Sequence, residues 1–184
     1  MATELEAKYR VSDFAAVRRA LQAAGAAYLG TAEETDTFFD TPRRHLYRSG
    51  RGLRLRQVRV LRSVAGGRKG GWLLTVKGPS RPDSRMKVRR EEQTPITDGL
   101  AMRRMLAEAG LLALVTLTKR RATYRLGRCL VELDELPGLG RFVEIEGPSQ
   151  RAVGAARRRL GLDDKPIAKS YLALIEMKGR AAGR

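Results

Sequence analysis

The N-terminal segment carries two carboxylates and a lysine at alternate positions, Glu4, Glu6 and Lys8. In a β-strand successive side chains point to opposite faces, so these three would share one face. Carboxylate oxygens two residues apart suit a hard divalent cation, and a neighbouring lysine suits a phosphate oxygen. Taken alone, the pattern is also typical of an ordinary strand with one solvated face. Its recurrence along the chain favours the chemical interpretation.

Carboxylates recur at alternate positions in two later segments that also have the pattern of strands. These residues are Glu132, Asp134, Glu144 and Glu146. Together with Glu4 and Glu6 they would supply the oxygen ligands of a site for Mg²⁺ or Mn²⁺. One of Glu132 and Asp134 could instead serve only to hold an arginine in place.

Basic residues follow the same alternation in other strands. They are Lys8, Arg54, Arg56, Lys77, Arg89, Lys119 and Arg121. Cations gathered from several strands would position a polyphosphate and neutralise its charge, which is most of what phosphoryl transfer requires. In segment 87–94 two registers are open, because either Arg89 with Glu91 or Arg90 with Glu92 could occupy the charged face.

The charged faces need a scaffold that turns them toward one another. At least six predicted strands are charged on one face and apolar on the other, and helices with apolar stripes are predicted over 13–24, 99–109, 149–160 and 169–177. Helices covering the apolar faces would leave the charged faces to line the interior of a barrel or tunnel. Because buried charge is costly unless it is paired, such an interior should enclose metal ions and an anionic ligand.

Composition limits the class of protein. The 184 residues suit one domain, predicted over 1–178 and followed by a basic, disordered tail over 179–184. The net charge of +17 indicates an anionic partner. The single cysteine, Cys129, fits a reducing compartment. Since no signal peptide or membrane helix is evident, we expect a cytoplasmic protein. We also expect a monomer or homodimer.

An ordered set of short motifs resembles the CYTH superfamily, also called triphosphate tunnel metalloenzymes. The Glu-x-Glu-x-Lys signature is present at 4–8, and further matching pieces lie at 36–42, 53–56, 75–78, 119–121, 133–140 and 143–146. Each piece is unspecific, but their order from Glu4 to about Leu174 is specific. The segment 36–42 and the closing Lys169-Ser170-Tyr171 are most similar to the class IV adenylyl cyclase (CyaB-like) branch, with thiamine triphosphatase-like proteins beside it.

This resemblance implies an α+β fold in which a closed eight-stranded antiparallel β-barrel forms a tunnel, with helices packed outside. It implies metal binding by the carboxylates named above, with one or two ions, and phosphate binding by the basic residues. To the latter it adds Lys169, near the tunnel mouth. Lys8, Arg56 and Lys77 are the predicted catalytic cations. The adjacent Arg89 to Glu92 depart from the usual spacing of the family.

Several functions are compatible with such a tunnel. The first hypothesis is a divalent-metal-dependent phosphohydrolase that cleaves inorganic tripolyphosphate or a nucleoside or thiamine triphosphate. The second hypothesis, nearly as well supported, is a class IV adenylyl cyclase, which would convert ATP to cyclic AMP and pyrophosphate. A non-enzymatic binder of polyphosphate or nucleic acid is a further alternative. Nucleic acid is disfavoured because carboxylates share the basic faces and only 5% of residues are aromatic. An outer-membrane barrel is disfavoured by the missing signal peptide and by the amphipathic helices.

Overall fold

The computed structural model describes residues 2–79 and 87–182, and it describes the side chains of residues 5–79 and 88–179. Eight strands occur within this part of the chain. They are β1 Ala2–Val11, β2 Ala27–Asp40, β3 Gly52–Arg62, β4 Gly71–Lys77, β5 Lys87–Ile96, β6 Leu112–Leu126, β7 Cys129–Leu136 and β8 Gly140–Glu146. They pair in the order β1-β5-β4-β3-β2-β6-β7-β8, and β8 pairs with β1, so the sheet closes into a barrel. All pairings are antiparallel, which confirms the predicted fold.

Five helices lie among the described residues. They are α1 Ala15–Ala23, α2 His45–Arg48, α3 Gly99–Glu108, α4 Gln150–Arg159 and α5 Tyr171–Ala182. Side-chain caps begin two of them: Asp98 accepts a hydrogen bond from the backbone N–H of Ala101 (2.8 Å), and Ser149 accepts one from that of Ala152 (3.2 Å). Four of the five helices were predicted. None of the described helices is long and apolar enough to cross a membrane.

The C-terminal helix extends beyond its predicted range. α5 begins at Tyr171, and residues 179–182, which were assigned to a disordered tail, lie within it. Gly183 and Arg184 lie outside the described residues. Helix α2 was not predicted. It is held by Asp40, whose carboxylate accepts hydrogen bonds from the backbone N–H groups of Leu46 (2.9 Å) and Tyr47 (2.8 Å).

The apolar cores lie on the outer surface of the barrel, beneath the helices. Helices α1 and α4 bury Leu21 and Val153 against a wall that includes Ile145 of β8. Helix α3 packs over β3 and β4, where Gly99 is required because a Cβ there would lie 1.9 Å from the Trp72 ring. With the apolar faces covered in this way, the opposite, charged faces of the strands line the interior, as the alternating pattern predicts.

The two ends of the barrel differ. We call one the 63–70 end, because it carries the connection 63–70 between β3 and β4, together with the start of β1. We call the other the α5 end, because it carries α2 and the first turn of α5. The segment before α5 is fastened to the barrel by a hydrogen bond from the Ile167 N–H to the Lys8 carbonyl (2.7 Å).

Candidate active site

A cavity of about 530 Å³ occupies the barrel interior. Most of the sequence-predicted site residues line it: Glu6, Lys8, Arg54, Arg56, Lys77, Arg89, Lys119, Arg121, Glu132, Glu144, Glu146 and Lys169. They come from seven strands and the segment before α5, and they meet because each strand turns every second side chain inward. A ligand that enters the tunnel is therefore surrounded by ionisable groups on all sides.

Arginines and lysines from β3 and β6 form one wall of the cavity. Arg54 and Arg56 are two residues apart on β3, and Lys119 and Arg121 are two residues apart on β6. Lys77 of β4 extends this wall and contacts Glu91 of β5 (Nζ to Oε2, 2.6 Å). Guanidinium groups can bind phosphate oxygens in pairs, so this wall suits a chain of phosphates.

Two buried carboxylates of β2 hold the cationic wall in place. Asp36 receives two parallel hydrogen bonds from Arg56 (Nε to Oδ1, 2.6 Å; Nη2 to Oδ2, 2.7 Å). Glu34 is fully buried and contacts Arg56 (2.8 Å), with Lys119 at 3.4 Å. Burial would raise the pKa of Asp36, but Arg54 and Arg56 outweigh it and lower this pKa to about 2. The wall is thus preorganised by buried ion pairs.

Carboxylates of three neighbouring strands, β1, β8 and β7, form the opposite wall. The register places Glu6 opposite Glu146 and Glu132 opposite Glu144. Directly opposed like charges destabilise a sheet unless cations lie between them. Lys8 supplies one such cation, with its Nζ 3.0 Å from Glu144 and 3.8 Å from Glu6.

Arg121 bridges the two walls. Its guanidinium contacts Glu144 (2.5 Å) and Glu132, and it donates two hydrogen bonds to Asp134 (2.6 and 2.5 Å). Burial would raise the pKa of Glu144, but Lys8 and Arg121 outweigh it and hold this pKa well below its ordinary value. The pKa of Glu132 is raised, chiefly by burial, despite the attraction of Arg121.

The carboxylate wall fits a hard divalent cation by the chemistry of its donors. Four carboxylates on adjacent strands, Glu6, Glu132, Glu144 and Glu146, offer oxygen ligands at the cavity surface. Among the described side chains, which exclude that of Glu4, no three acidic, histidine or cysteine groups form a ready-made metal cluster. Lys8 and Arg121 lie between these carboxylates, so a metal ion would have to compete with them or arrive together with an anionic ligand.

The first turn of α5 closes part of the α5 end. The Tyr171 hydroxyl donates to Asp134 (2.9 Å), and the Lys8 Nζ lies 3.7 Å from the centroid of the Tyr171 ring. The Lys8 ammonium also donates a long hydrogen bond to the carbonyl of Lys169 (3.5 Å), and Lys169 itself lines the cavity. These contacts hold the segment 169–171 at the α5 end against Asp134 and Lys8.

The other two predicted metal ligands are Glu4 and Asp134. Glu4 lies in β1 opposite Arg89, and its side chain is outside the described set. Asp134 is fully buried and absent from the cavity lining, and its oxygens accept hydrogen bonds from Lys119, Arg121 and Tyr171. This geometry favours the alternative in which Asp134 holds basic residues in place.

The structure selects one of the two registers for β5. Arg89 and Glu91 line the cavity, whereas Arg90 and Glu92 are exposed. The lysine contact of Glu91 across the β4–β5 pair is consistent with this register.

Several residues that line the cavity or lie directly behind its wall were not predicted. Glu34 and Asp36 alternate on β2 as the other charged residues do, so the period-two pattern could have found them. Arg68 lies in the 63–70 connection, and no local signal distinguishes it from Lys69, the other basic residue there. Tyr171 was noted only as part of a closing motif.

Comparisons with known proteins agree with this architecture. The family model described as the CYTH domain matches residues 2–160. Adenylate cyclase CyaB from Aeromonas hydrophila is 34% identical over 143 residues, which are 77% of this chain and 67% of that protein. The structure of the PH1819 protein from Pyrococcus horikoshii has a TM-score of 0.79 at 26% identity, covering 95% of this chain and 99% of that one. The HpAC1 protein from Hippeastrum, which has a dominant triphosphatase activity, has a TM-score of 0.69 at 20% identity, covering 95% and 96%, and shows the fold alone.

Proposed function

Because the chain belongs to the CYTH domain family, we propose that it is a divalent-metal-dependent triphosphatase whose substrate binds inside the tunnel. The observation that carries this proposal is the pairing of a cationic wall with a carboxylate wall across one cavity. The cationic wall matches the oxygens of a phosphate chain, and the carboxylate wall matches the metal ions that accompany such a chain. The same fold carries a dominant triphosphatase activity in the Hippeastrum protein.

The basic residues would bind and orient the substrate. Arg54 and Arg56 of β3, with Lys119 and Arg121 of β6, project from the two strands that flank β2 and would contact phosphate oxygens along the chain. Each has a buried carboxylate partner already, so it is held in position before the substrate arrives and little reorganisation is needed during the reaction. Lys77 and Lys169 would extend these contacts toward the α5 end.

The carboxylates would hold the metal, with Glu6, Glu144 and Glu146 as ligands and Glu4 and Glu132 as further candidates. A bound divalent ion would polarise phosphoryl oxygens and offset the charge on the departing diphosphate. In hydrolysis a water oxygen bonds to the terminal phosphorus, the bridging P–O bond breaks, and orthophosphate and a diphosphate are released, with the water proton passing to solvent. Lys8, Arg56 and Lys77 would donate hydrogen bonds to the oxygens on which negative charge increases.

An adenylyl cyclase is the second candidate, and two observations favour it. The Aeromonas relative is named an adenylate cyclase. In addition, the cavity lining becomes partly apolar at the α5 end, where Phe38, Tyr47 and Leu172 could contact a nucleoside. Cyclisation would bond the ribose 3′ oxygen to the α-phosphorus and release pyrophosphate.

Identification of the products distinguishes these reactions. The protein is incubated with tripolyphosphate, and separately with ATP, in Mg²⁺ or Mn²⁺, and the phosphorus species are followed by ³¹P NMR. Orthophosphate from tripolyphosphate, with no cyclic AMP from ATP, is the expected result. Stoichiometric cyclic AMP and pyrophosphate from ATP would establish the cyclase instead. Binding of tripolyphosphate without turnover of either compound would indicate a non-enzymatic binder.

A further inference from the structure

Arg68 reaches the tunnel from the connection between β3 and β4, whereas the other arginines of the cationic wall belong to strands. Its guanidinium lines the cavity and donates a hydrogen bond to the Thr123 hydroxyl (Nη1 to Oγ1, 3.1 Å). The side chain is 18% exposed. Its neighbour Lys69 is exposed and does not line the cavity. The connection therefore places one of its two adjacent cations inside the tunnel.

The backbone around Arg68 is fixed against β2. The Arg68 N–H donates to the carbonyl of Leu29 (3.1 Å). Gly67 permits this close approach, because a Cβ at that position would lie 2.3 Å from the Leu29 oxygen and 2.9 Å from Val64. The loop conformation thus fixes the backbone position from which the Arg68 side chain enters the tunnel.

Arg68 shares a buried partner with the cationic wall. It forms an ion pair with Glu34, the carboxylate that also contacts Arg56, Lys119 and Arg121. Glu34 is fully buried and does not line the cavity, so it holds the Arg68 guanidinium from behind while that group faces the interior. The Arg68 side chain therefore adds to the same cationic surface as the strand residues.

The position of Arg68 extends this surface toward the 63–70 end. Inward-facing positions two residues apart on a strand are separated by about 7 Å. Along β3 these positions are Arg54, Arg56 and then the apolar Val58, while β6 provides Lys119 and Arg121 before Thr123. Both strands thus lack a cation at the third position. Arg68 supplies one there, through its contact with Thr123 and with Glu34, which pairs with Val58 in the sheet.

We propose that Arg68 binds the terminal phosphate of the substrate and selects chains of three phosphates over chains of two. The strand cations hold the inner phosphates, and the group attached to the other end of the chain lies toward the α5 end. A two-phosphate chain is held by the strand cations alone and does not require Arg68. This assignment rests on the proposed function for the identity of the ligand class, but it concerns binding rather than turnover.

Binding measurements in metal-free buffer test the assignment separately from hydrolysis. Dissociation constants for tripolyphosphate and for pyrophosphate are measured by isothermal titration calorimetry, with chelator present so that the proposed hydrolysis does not proceed. Arg68→Ala should weaken tripolyphosphate binding at least tenfold and change pyrophosphate binding less than twofold, because only the longer chain loses charge-assisted hydrogen bonds. Arg68→Lys should restore part of the loss, and the matched control Lys69→Ala should change neither constant.

A purely structural role for Arg68 would give a different pattern. If Arg68 only neutralises Glu34, its removal weakens both ligands by the same factor, and the proposal is overturned. Unchanged binding of both ligands would also overturn it. Circular dichroism establishes that each variant is folded, and if Arg68→Ala is not, Arg68→Lys and Arg68→Gln provide the same comparison. Absence of orthophosphate release by the wild type in Mg²⁺ would refute the triphosphatase, whereas Arg68-dependent selectivity would still hold.

Discussion

Asp36→Asn should destabilise the protein in a pH-dependent manner. Asp36 is 2% exposed and forms two short hydrogen bonds with Arg56. Its pKa is lowered from 3.8 to about 2, against the effect of burial, by Arg54 and Arg56. A depressed pKa in the folded state contributes stability that is complete well above the unfolded pKa and is lost as the pH falls through the folded pKa.

The size of this contribution follows from the shift. A decrease from 3.8 to about 2 corresponds to roughly 2.5 kcal/mol of folding free energy at pH 7. About half of it should remain at pH 3, which lies between the two pKa values. The total effect at pH 7 should be larger, about 3–5 kcal/mol, because the substitution leaves the buried Arg56 with Glu34 as its one remaining carboxylate partner.

Urea unfolding of the wild type and Asp36→Asn at pH 7 and pH 3 measures this effect. The difference in unfolding free energy between the two proteins should shrink by about 1 kcal/mol between these pH values. Glu33→Gln is the matched control, since Glu33 lies on the outer face of the same strand in an exposed pair with Arg59 (2.7 Å) and should contribute at most about 1 kcal/mol. If the difference in unfolding free energy between the wild type and Asp36→Asn is identical at both pH values, the pKa of Asp36 is not depressed.

Three further outcomes concern the tunnel lining. Chelation of divalent metal should abolish orthophosphate release, and added Mg²⁺ or Mn²⁺ should restore it. The reason is that the carboxylates of the tunnel would bind phosphate oxygens only through a metal ion. Full activity in excess chelator would contradict the metal site. Glu146→Gln should lower the rate at least tenfold with an unchanged circular dichroism spectrum, and a wild-type rate would remove Glu146 from the ligand set. Lys169→Ala should raise KM for tripolyphosphate, since Lys169 lines the α5 end; unchanged kinetics would exclude Lys169 from the site.

The strand faces could be predicted because their signal is local. A period of two places Glu6 with Lys8, and Arg54 with Arg56, on one face whatever the tertiary context. The helices on the opposite faces then make a charged interior the simple solution. This reasoning correctly brought residues from seven strands into one cavity.

The remaining features depend on contacts between distant segments. Arg68 enters the tunnel because the loop backbone bonds to Leu29, nearly 40 positions earlier in the sequence. Asp134 has the sequence pattern of a metal ligand, yet its oxygens accept hydrogen bonds from Lys119 and Tyr171, and Tyr171 arrives from the C-terminal helix. A periodic sequence pattern does not predict which carboxylates lie behind the cations and which face the cavity.

In the proposed function the inner face of the barrel, and not the basic outer surface, binds and cleaves a triphosphate. Two arginines of the same strand separate these possibilities, because Arg54 lines the cavity while Arg59 is 65% exposed outside it. The measurement is kcat/KM for orthophosphate release from tripolyphosphate in Mg²⁺. We expect Arg54→Ala to lower kcat/KM at least tenfold, the loss of one or more charge-assisted hydrogen bonds, and Arg59→Ala to leave it within twofold of the wild type. Equal effects of the two substitutions, or no orthophosphate release by the wild type, would contradict the account.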